Sequence, residues 1–252
     1  MQYKALIFDL DGTAIDTKQN ASPSKRLLET IAHANDKVIL ACATGRSFGN
    51  AQRVLLEMGI THPCIIFGGS QILNPQTGEV LWKKEIAAKQ VNKIVSLCKE
   101  YPCDFYFTDD MEPTHYHEVA TRIKPESIVY VKDIKIQYVP IMLKKLEQVS
   151  GVVAHVTNSW VEGCKDLHIT HVDATKKNAL QQWLKLLNLK KENVIAVGDS
   201  GNDIPLFESA GLKVAMGNST EDLKSKADFV TKNVENDGLA YVIEKYILQE
   251  SD

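Results

Sequence analysis

Two aspartates one residue apart, Asp9 and Asp11, follow an apolar run near the start of the chain. The run is typical of a strand buried on both faces, so the acids mark the point where it reaches solvent. Side chains alternate along a strand, which places both carboxylates on one side, and Gly12 lets the backbone turn away. Two carboxylates about 4 Å apart repel by roughly 4 kcal/mol at an effective dielectric of about 20, which a bound cation or a shared proton would offset. Such a pair suits metal and phosphate chemistry, although Asp and Gly are also ordinary turn residues.

Further polar and glycine residues stand at the ends of three other predicted strands, the apolar runs 38–43, 64–67 and 194–197. Because open α/β sheets bind ligands outside the carboxyl ends of their strands, we expect one crevice to collect these residues together with the first two acids. They are Thr44, Gly68, Gly69, Asp199, Asn202 and Asp203.

The order of predicted elements indicates an α/β protein of two domains. Towards both ends of the chain, apolar strands alternate with helical patterns, which is typical of parallel βαβ units. Between them, residues 84–171 carry shorter and more polar strands among helical patterns, which predicts a separate α+β domain. The expected fold is a doubly wound, Rossmann-like parallel-sheet core of residues 1–83 and 172–252, with an α+β domain of residues 84–171 inserted into it.

Composition excludes several classes of protein. The 252 residues are 44% hydrophobic and 24% charged, as in ordinary globular proteins. A formal net charge of -3 provides no basic field for nucleic acid. The five cysteines form no CxxC pair, which argues against a disulfide framework and a structural zinc site. The first strand leaves no room for a signal peptide, and no apolar run approaches the roughly 20 residues of a membrane span. We expect a cytoplasmic protein with neither nucleic-acid nor membrane partners.

Four motifs, placed in order along nearly the whole chain, resemble those of the haloacid dehalogenase (HAD) superfamily. Within it, the chain resembles the Cof-like sugar-phosphate phosphatases, which carry a large α/β cap. The resemblance implies an HAD-like core, with the inserted domain as its cap, and magnesium-dependent hydrolysis of small phosphorylated metabolites. The motif segments are Asp9-Leu10-Asp11-Gly12-Thr13, Thr44-Gly45-Arg46, Ala174-Thr175-Lys176-Lys177 and Gly198-Asp199-Ser200-Gly201-Asn202-Asp203.

The resemblance also implies a division of roles. Asp9 attacks phosphorus and becomes an aspartyl phosphate, while Asp11 protonates the departing alcohol and later activates water. The Thr44 hydroxyl and the Lys176 ammonium stabilise charge on the phosphoryl oxygens. Arg46 is a further candidate for contacting phosphate or for closing a gate against the cap, although a surface ion pair is also open for it. The residues expected to bind substrate are Thr44, Gly45, Arg46, Lys176 and Asn202.

Magnesium is the expected cofactor, because the converging ligands are all oxygens. The expected ligands are the Asp9 carboxylate, Asp199 and, as the resemblance implies, the Asp11 backbone carbonyl. Asp203 is expected behind them, where it orients Lys176 or a metal-bound water. No Cys or His stands at a strand end to favour zinc.

The chain departs from the Cof-like pattern at two places. The loop after the third strand usually reads Asn-Gly, whereas here it is Gly68-Gly69, so only the backbone could act at the first of these positions. Lys177 stands where a glycine usually follows the motif lysine and could compete for its role. The helical register favours Lys176.

Two other functions stay open. A phosphomutase of the same superfamily would return the phosphoryl group to another hydroxyl instead of releasing phosphate. A phospho-accepting regulatory domain also gathers acids, a threonine and a lysine at strand ends, but the spacing of the first motif and the inserted domain favour an enzyme. Cap residues such as Asp109, Glu112, His115 and Trp160 could contact sugar hydroxyls. The sequence names neither the metabolite nor the oligomeric state.

Overall fold

The structure is a computed structural model that describes residues 3–18, 21–108, 124–249 and the backbone of residues 113–115. It falls into two compact units. The core unit consists of Met1–Trp82 and Thr175–Asp252, and the inserted unit of Lys83–Ala174.

Strands and helices alternate along much of the described chain. The strands are β1 (Ala5–Phe8), β2 (Ile39–Cys42), β3 (Cys64–Ile66), β4 (Gln71–Leu73), β5 (Val80–Lys83), β6 (Asp104–Thr108), β7 (Pro113–His115), β8 (Ile128–Lys135), β9 (Val152–Asn158), β10 (Cys164–His171), β11 (Val194–Gly198), β12 (Leu212–Ala215) and β13 (Phe229–Val230). The helices are α1 (Lys25–Ala34), α2 (Phe48–Glu57), α3 (Ala88–Cys98), α4 (Val139–Leu146), α5 (Lys176–Leu186), α6 (Ile204–Phe207), α7 (Glu221–Lys224) and α8 (Gly238–Ile243).

The core unit is built on a parallel sheet with the strand order β13-β12-β11-β1-β2. Strand β1 lies inside this sheet, between β11 and β2. Leu6 and Phe8 pack with residues of α1, α2 and α8, whereas Ala5 and Ile7 pack with residues of α5, α6 and α7 on the opposite face. Because successive side chains of β1 point to opposite faces of the sheet and all of them are apolar, this strand contributes core residues to the helix layers on both faces. The predicted doubly wound parallel sheet is confirmed.

The third predicted strand behaves differently from expectation. Strand β3 pairs antiparallel with β4 in a separate sheet of order β3-β4-β5, and it meets the end of β2 through a parallel bridge between Ala43 and Ile65. Positive φ angles of 50° at Phe67, 67° at Gly68 and 112° at Gly69 reverse the chain after β3. The strict alternation of strand and helix expected for this half is therefore wrong after β3.

The inserted unit is an antiparallel sheet of order β7-β6-β8-β10-β9. Alternate residues such as Val129, Val131 and Leu167 pack with α3 and α4 in a single apolar core. This unit interrupts the core unit in sequence, so the predicted α/β class with an inserted α+β domain is confirmed.

The residues suggested above as sugar contacts are only partly visible in this unit. Trp160 is 84% exposed. Asp109, Glu112 and the side chain of His115 lie outside the described residues. Across the parts of the chain that the structure describes, no helix has the length and apolar character that a membrane crossing requires.

Candidate active site

Asp9 is the first residue beyond β1, and its carboxylate is buried at that end of the sheet. Its backbone N–H donates to the Val197 carbonyl of β11 at 3.0 Å, which continues the parallel ladder up to the acid. Its Oδ1 accepts a hydrogen bond from Lys176 Nζ at 2.6 Å. Burial raises the pKa of Asp9, and the Lys176 ammonium opposes that rise.

Lys176 is the first residue of α5, and its side chain is only 3% exposed. Its Nζ lies 2.6 Å from Asp9 Oδ1 and 2.6 Å from Asp203 Oδ1. Burial alone lowers the pKa of Lys176, but the two carboxylates outweigh burial and the pKa is raised overall. The ammonium therefore remains charged inside the protein. Lys177, the alternative left open by the sequence, pairs instead with Glu208 at 2.7 Å and is 44% exposed.

The Gly68-Gly69 loop explains how α5 reaches this position. Gly69 has φ 112°, and a Cβ built on it would lie 2.3 Å from the backbone carbon of Thr175 and 2.6 Å from the backbone nitrogen of Lys176. Only glycine permits the loop to pack so closely against the start of α5. A Cβ on Gly68 would have nothing within 4 Å. The two glycines are thus not equivalent, and the backbone at Gly69 sets the position of Lys176.

Asp203 holds the loop after β11 in place. Its Oδ2 accepts hydrogen bonds from the backbone nitrogens of Asp199 at 3.1 Å and Ser200 at 3.2 Å, and its Oδ1 accepts the bond from Lys176. A Cβ on Gly198 would lie 2.5 Å from Asp203 Cβ, so the strand end must be glycine for this side chain to fit. Both oxygens of Asp203 are therefore engaged in positioning its neighbours.

Asp199 has a buried carboxylate oxygen, Oδ1, that accepts no hydrogen bond from the residues that the structure describes. Burial raises the pKa of Asp199 to about 6, and the nearby charge of Asp203 adds to that rise. Gly12, with φ 79°, passes so near that a Cβ on it would lie 2.4 Å from Asp199 Oδ2. The glycine of the first motif is thus required to admit the acid of the fourth.

These carboxylates fit a hard divalent cation. Asp9, Asp199 and Asp203 each offer an oxygen, and the three oxygens lie within 4.8 Å of one another. The unpartnered Asp199 Oδ1 and an all-oxygen donor set suit Mg²⁺ better than a softer metal. The Asp11 carboxylate is not one of the three groups, and the ligand predicted from Asp11 is its backbone carbonyl.

The second motif packs against Asp11. Arg46 donates from Nε to Asp11 Oδ2 at 2.9 Å and from Nη2 to Asp11 Oδ1 at 2.6 Å. Thr44 is buried, and its Oγ1 accepts the backbone N–H of Arg46 at 3.1 Å. Gly45, between them, has open space where a Cβ would stand. The structure therefore brings this motif to the same strand edge as Asp9, with the guanidinium of Arg46 already engaged by a carboxylate.

Two asparagines differ from the sequence-based picture. Asn202 is exposed and accepts a hydrogen bond from Ser200 at 2.9 Å, and among the described residues none of its hydrogen bonds reaches Asp9, Asp199 or Lys176. Asn218, to which sequence reasoning gave no role, donates to the Gly12 carbonyl at 2.8 Å and accepts from the Val234 backbone at 2.9 Å. It fixes the loop after β1, and its position three residues beyond β12, at the same sheet edge, was the signal that could have found it.

Comparisons with known proteins identify the family of the chain. A family model described as haloacid dehalogenase-like hydrolase matches residues 6–243. A phosphoglycolate phosphatase of Methanobrevibacter smithii is 26% identical, over 98% of this chain and 100% of its own. A 5-amino-6-(5-phospho-D-ribitylamino)uracil phosphatase of Bacillus subtilis is 26% identical, over 97% of this chain and 96% of its own.

Solved structures share the whole fold. A haloacid dehalogenase-like hydrolase from Bacteroides thetaiotaomicron superposes with a TM-score of 0.82 at 22% identity, covering 96% of this chain and 99% of its own. A sugar phosphatase of HAD subclass IIB gives a TM-score of 0.75 at 20% identity, covering 96% and 98%. The resemblance inferred from the four motifs is confirmed. Because the family model spans most of its length, the chain belongs to the haloacid dehalogenase-like hydrolase family.

Proposed function

We propose that this hydrolase is a magnesium-dependent phosphatase that cleaves small phosphate monoesters, sugar phosphates above all, through an aspartyl phosphate at Asp9. The observation that carries the proposal is the buried Asp9 carboxylate, held at 2.6 Å by the buried Lys176 ammonium, beside the unpartnered oxygen of Asp199. The phosphatase relatives support the reaction class. The subclass IIB sugar phosphatase supports the substrate class.

In the first step, an Asp9 oxygen attacks phosphorus and forms a new O–P bond, while the bond from phosphorus to the ester oxygen breaks. Asp11 gives a proton to that oxygen, so that a neutral alcohol leaves. Charge spreads over the phosphoryl oxygens during the transfer, and the Lys176 ammonium and the Thr44 hydroxyl are fixed donors that stabilise it. Lys176 also favours the anionic form of Asp9 against the effect of burial.

In the second step, water attacks the phosphorus of the aspartyl phosphate and gives its proton to Asp11. The bond between phosphorus and the Asp9 oxygen breaks, which restores the Asp9 carboxylate and releases inorganic phosphate. One residue thus acts first as acid and then as base, so Asp11 returns to its starting protonation state after each turnover.

The Asp9 carboxylate, the Asp11 backbone carbonyl and Asp199 would hold the proposed magnesium. When bound, it supplies positive charge that favours the ionised acids and attracts the phosphoryl oxygens. Asp203 keeps the Asp199 loop and Lys176 in position, because both of its oxygens are engaged by them. Thr44, Gly45 and Lys176 remain the residues proposed to contact the phosphate, and Asn202 would have to move to reach it.

The test is a screen of phosphate esters with magnesium, read as free phosphate and ranked by kcat/KM. Hexose and pentose phosphates are expected to lead, and chelation of the metal is expected to abolish turnover. Asp9→Asn is expected to lose activity, whereas the matched control Asp16→Asn, an acid paired with Lys18 at 2.8 Å in the following loop, is expected to keep it. Undiminished turnover by Asp9→Asn would refute the nucleophile, and an isomerised ester without free phosphate would indicate a mutase.

A further inference from the structure

We infer that Arg46 is a positioning residue for Asp11, which fixes the carboxyl of the proposed acid, and is not a ligand of the substrate phosphate. The inference rests on the proposed function, because it assigns a role within that reaction. Among the roles that the motif left open for Arg46, it favours an ion pair over a contact with the phosphate, and it names Asp11 as the partner.

The first observation is the geometry of the pair. Arg46 Nε lies 2.9 Å from Asp11 Oδ2 and Arg46 Nη2 lies 2.6 Å from Asp11 Oδ1. Each carboxylate oxygen thus meets its own N–H in a two-point fork, which fixes the rotation of the carboxyl group as well as its distance. The side chain of Arg46 is 25% exposed and that of Asp11 is 36% exposed, so a single hydrogen bond would leave the Asp11 carboxylate free to rotate in solvent.

The second observation is that the guanidinium is itself held in place. Arg46 Nη1 donates to the Asn50 carbonyl in the first turn of α2 at 3.1 Å. The Arg46 backbone N–H donates to Thr44 Oγ1, and its carbonyl accepts from the Phe67 backbone at 2.9 Å. Each of the three guanidinium nitrogens therefore donates to a protein oxygen, and two of those three oxygens belong to Asp11. A group committed in this way suits orienting a neighbour more than receiving a phosphate.

The chemistry of an acid explains why this fixing matters. Asp11 must point its proton at the ester oxygen as that oxygen departs, and a misplacement of about 1 Å in such a group can cost about a hundredfold in rate. When Asp11 carries the proton, its other oxygen still accepts from Arg46 and keeps the carboxyl aligned. After the transfer both oxygens accept again, as in the structure.

This role predicts that the effect of losing Arg46 depends on the leaving group. A sugar alkoxide leaves only with a proton, so its ester needs an aligned Asp11, whereas p-nitrophenolate leaves as an anion without one. A ligand of the phosphate would behave differently, because the phosphoryl group is the same in both esters. The ratio of the two losses therefore separates the two roles.

The experiment measures kcat and KM of the full-length protein with magnesium for a hexose 6-phosphate and for p-nitrophenyl phosphate. Arg46→Gln is expected to lower kcat/KM, which reports the transfer to Asp9 alone, about 10- to 100-fold for the hexose ester and less than about threefold for the aryl ester. The kcat values also contain hydrolysis of the aspartyl phosphate, a step in which Asp11 acts as the base for both esters. Arg46→Lys keeps the charge without the fork and is expected to fall between wild type and Arg46→Gln. The matched control is Arg53→Gln, on α2 just beyond Arg46, where the arginine pairs with Glu57 at 3.0 Å; this change should leave both rates unchanged.

A double variant adds an independent readout. If Arg46 acts through Asp11, then Asp11→Asn alone should show the same dependence on the leaving group, and adding Arg46→Gln to it should cause no further loss. Equal losses of kcat/KM on both esters, or additive losses of kcat/KM in the double variant, would overturn the inference and assign Arg46 to the phosphate. Unfolding midpoints show whether Arg46→Gln folds. If that variant does not fold, the ratio of the losses on the two esters is measured with Arg46→Lys instead. A wild-type protein that releases phosphate from neither ester would instead refute the proposed function, and the inference with it.

Discussion

Replacing Lys176 by Met removes an ammonium that lies between two buried carboxylates. The Nζ atom lies 2.6 Å from Asp9 Oδ1 and 2.6 Å from Asp203 Oδ1. Methionine fills much of the same volume, so the change deletes charge and hydrogen bonds more than packing. Asp9 and Asp203 then lose their ammonium partner, while Asp199 offers a third carboxylate oxygen within 4.8 Å of theirs.

The expected cost follows from burial. Breaking a buried ion pair by removing one partner costs about 3 to 5 kcal/mol, because the remaining charge is left uncompensated. Loss of a fixed donor to the phosphoryl oxygens costs about 2.7 to 4 kcal/mol in the barrier, or roughly 100- to 1,000-fold in kcat. Lys177→Met is the matched control, since that lysine makes an exposed pair worth less than about 1 kcal/mol.

The pH dependence has a definite sign. Without the ammonium, which opposes the raised pKa values of Asp9 and Asp199, those two pKa values rise further, so the folded variant binds protons that the unfolded chain has already released. Stability falls with rising pH wherever the folded state binds more protons. The deficit of Lys176→Met relative to wild type should therefore be larger at pH 8 than at pH 5.

Thermal or denaturant unfolding with a metal chelator at both pH values, together with steady-state kinetics in magnesium, provides the assay. The reasoning is refuted if Lys176→Met matches Lys177→Met in stability at pH 8 and keeps kcat within about threefold. A deficit that grows as the pH falls would contradict the electrostatic cause even if the loss were large.

Three further predictions concern other parts of the molecule. Gly69→Ala should lower the free energy of unfolding by several kcal/mol and reduce kcat, because the added Cβ would lie 2.3 Å from backbone. Gly68→Ala should cost only about 1 kcal/mol, because its φ is positive but the space around it is open. Unfolding and kinetic measurements on both variants check this difference. Burial lowers the pKa of His168 to about 4, so the free energy of unfolding of the inserted unit should fall by up to about 3 kcal/mol as the pH falls from 6.5 to 4. His168→Gln should weaken this pH dependence in unfolding experiments. Magnesium should raise the unfolding midpoint of wild type, and Asp199→Asn should abolish most of that shift; an unchanged shift would remove Asp199 from the ligand set.

Much of the fold could be predicted because it depends on local patterns. Strand β1 is apolar at successive positions, and Leu6 and Ile7 do pack into different helix layers. The turn after β3 could not be predicted, because a positive φ at Phe67, a residue with a bulky side chain, leaves no local signal. Tertiary packing, not the local sequence, determines the backbone conformation of this turn.

In the candidate site, too, features that depend on local patterns could be predicted, whereas features that depend on tertiary contacts could not. Strand ends predicted which residues gather at one edge, since parallel strands emerge together. The pairing of Arg46 with Asp11 and the bond from Asn218 to the Gly12 carbonyl join residues far apart in the chain, and no spacing rule encodes them. The different needs of Gly68 and Gly69 likewise depend on the approach of α5, which only the folded chain shows.

The most direct test of the central claim is to trap the phosphorylated carboxylate. The protein is quenched during turnover of a good substrate, reduced with borohydride and digested, and the peptide that contains Asp9 is analysed by mass spectrometry. Reduction of an acyl phosphate converts aspartate to homoserine, so homoserine is predicted at position 9 and only when substrate and magnesium are present. Reduction at another residue, or active enzyme with an unmodified Asp9 under conditions of rapid turnover, would contradict the account.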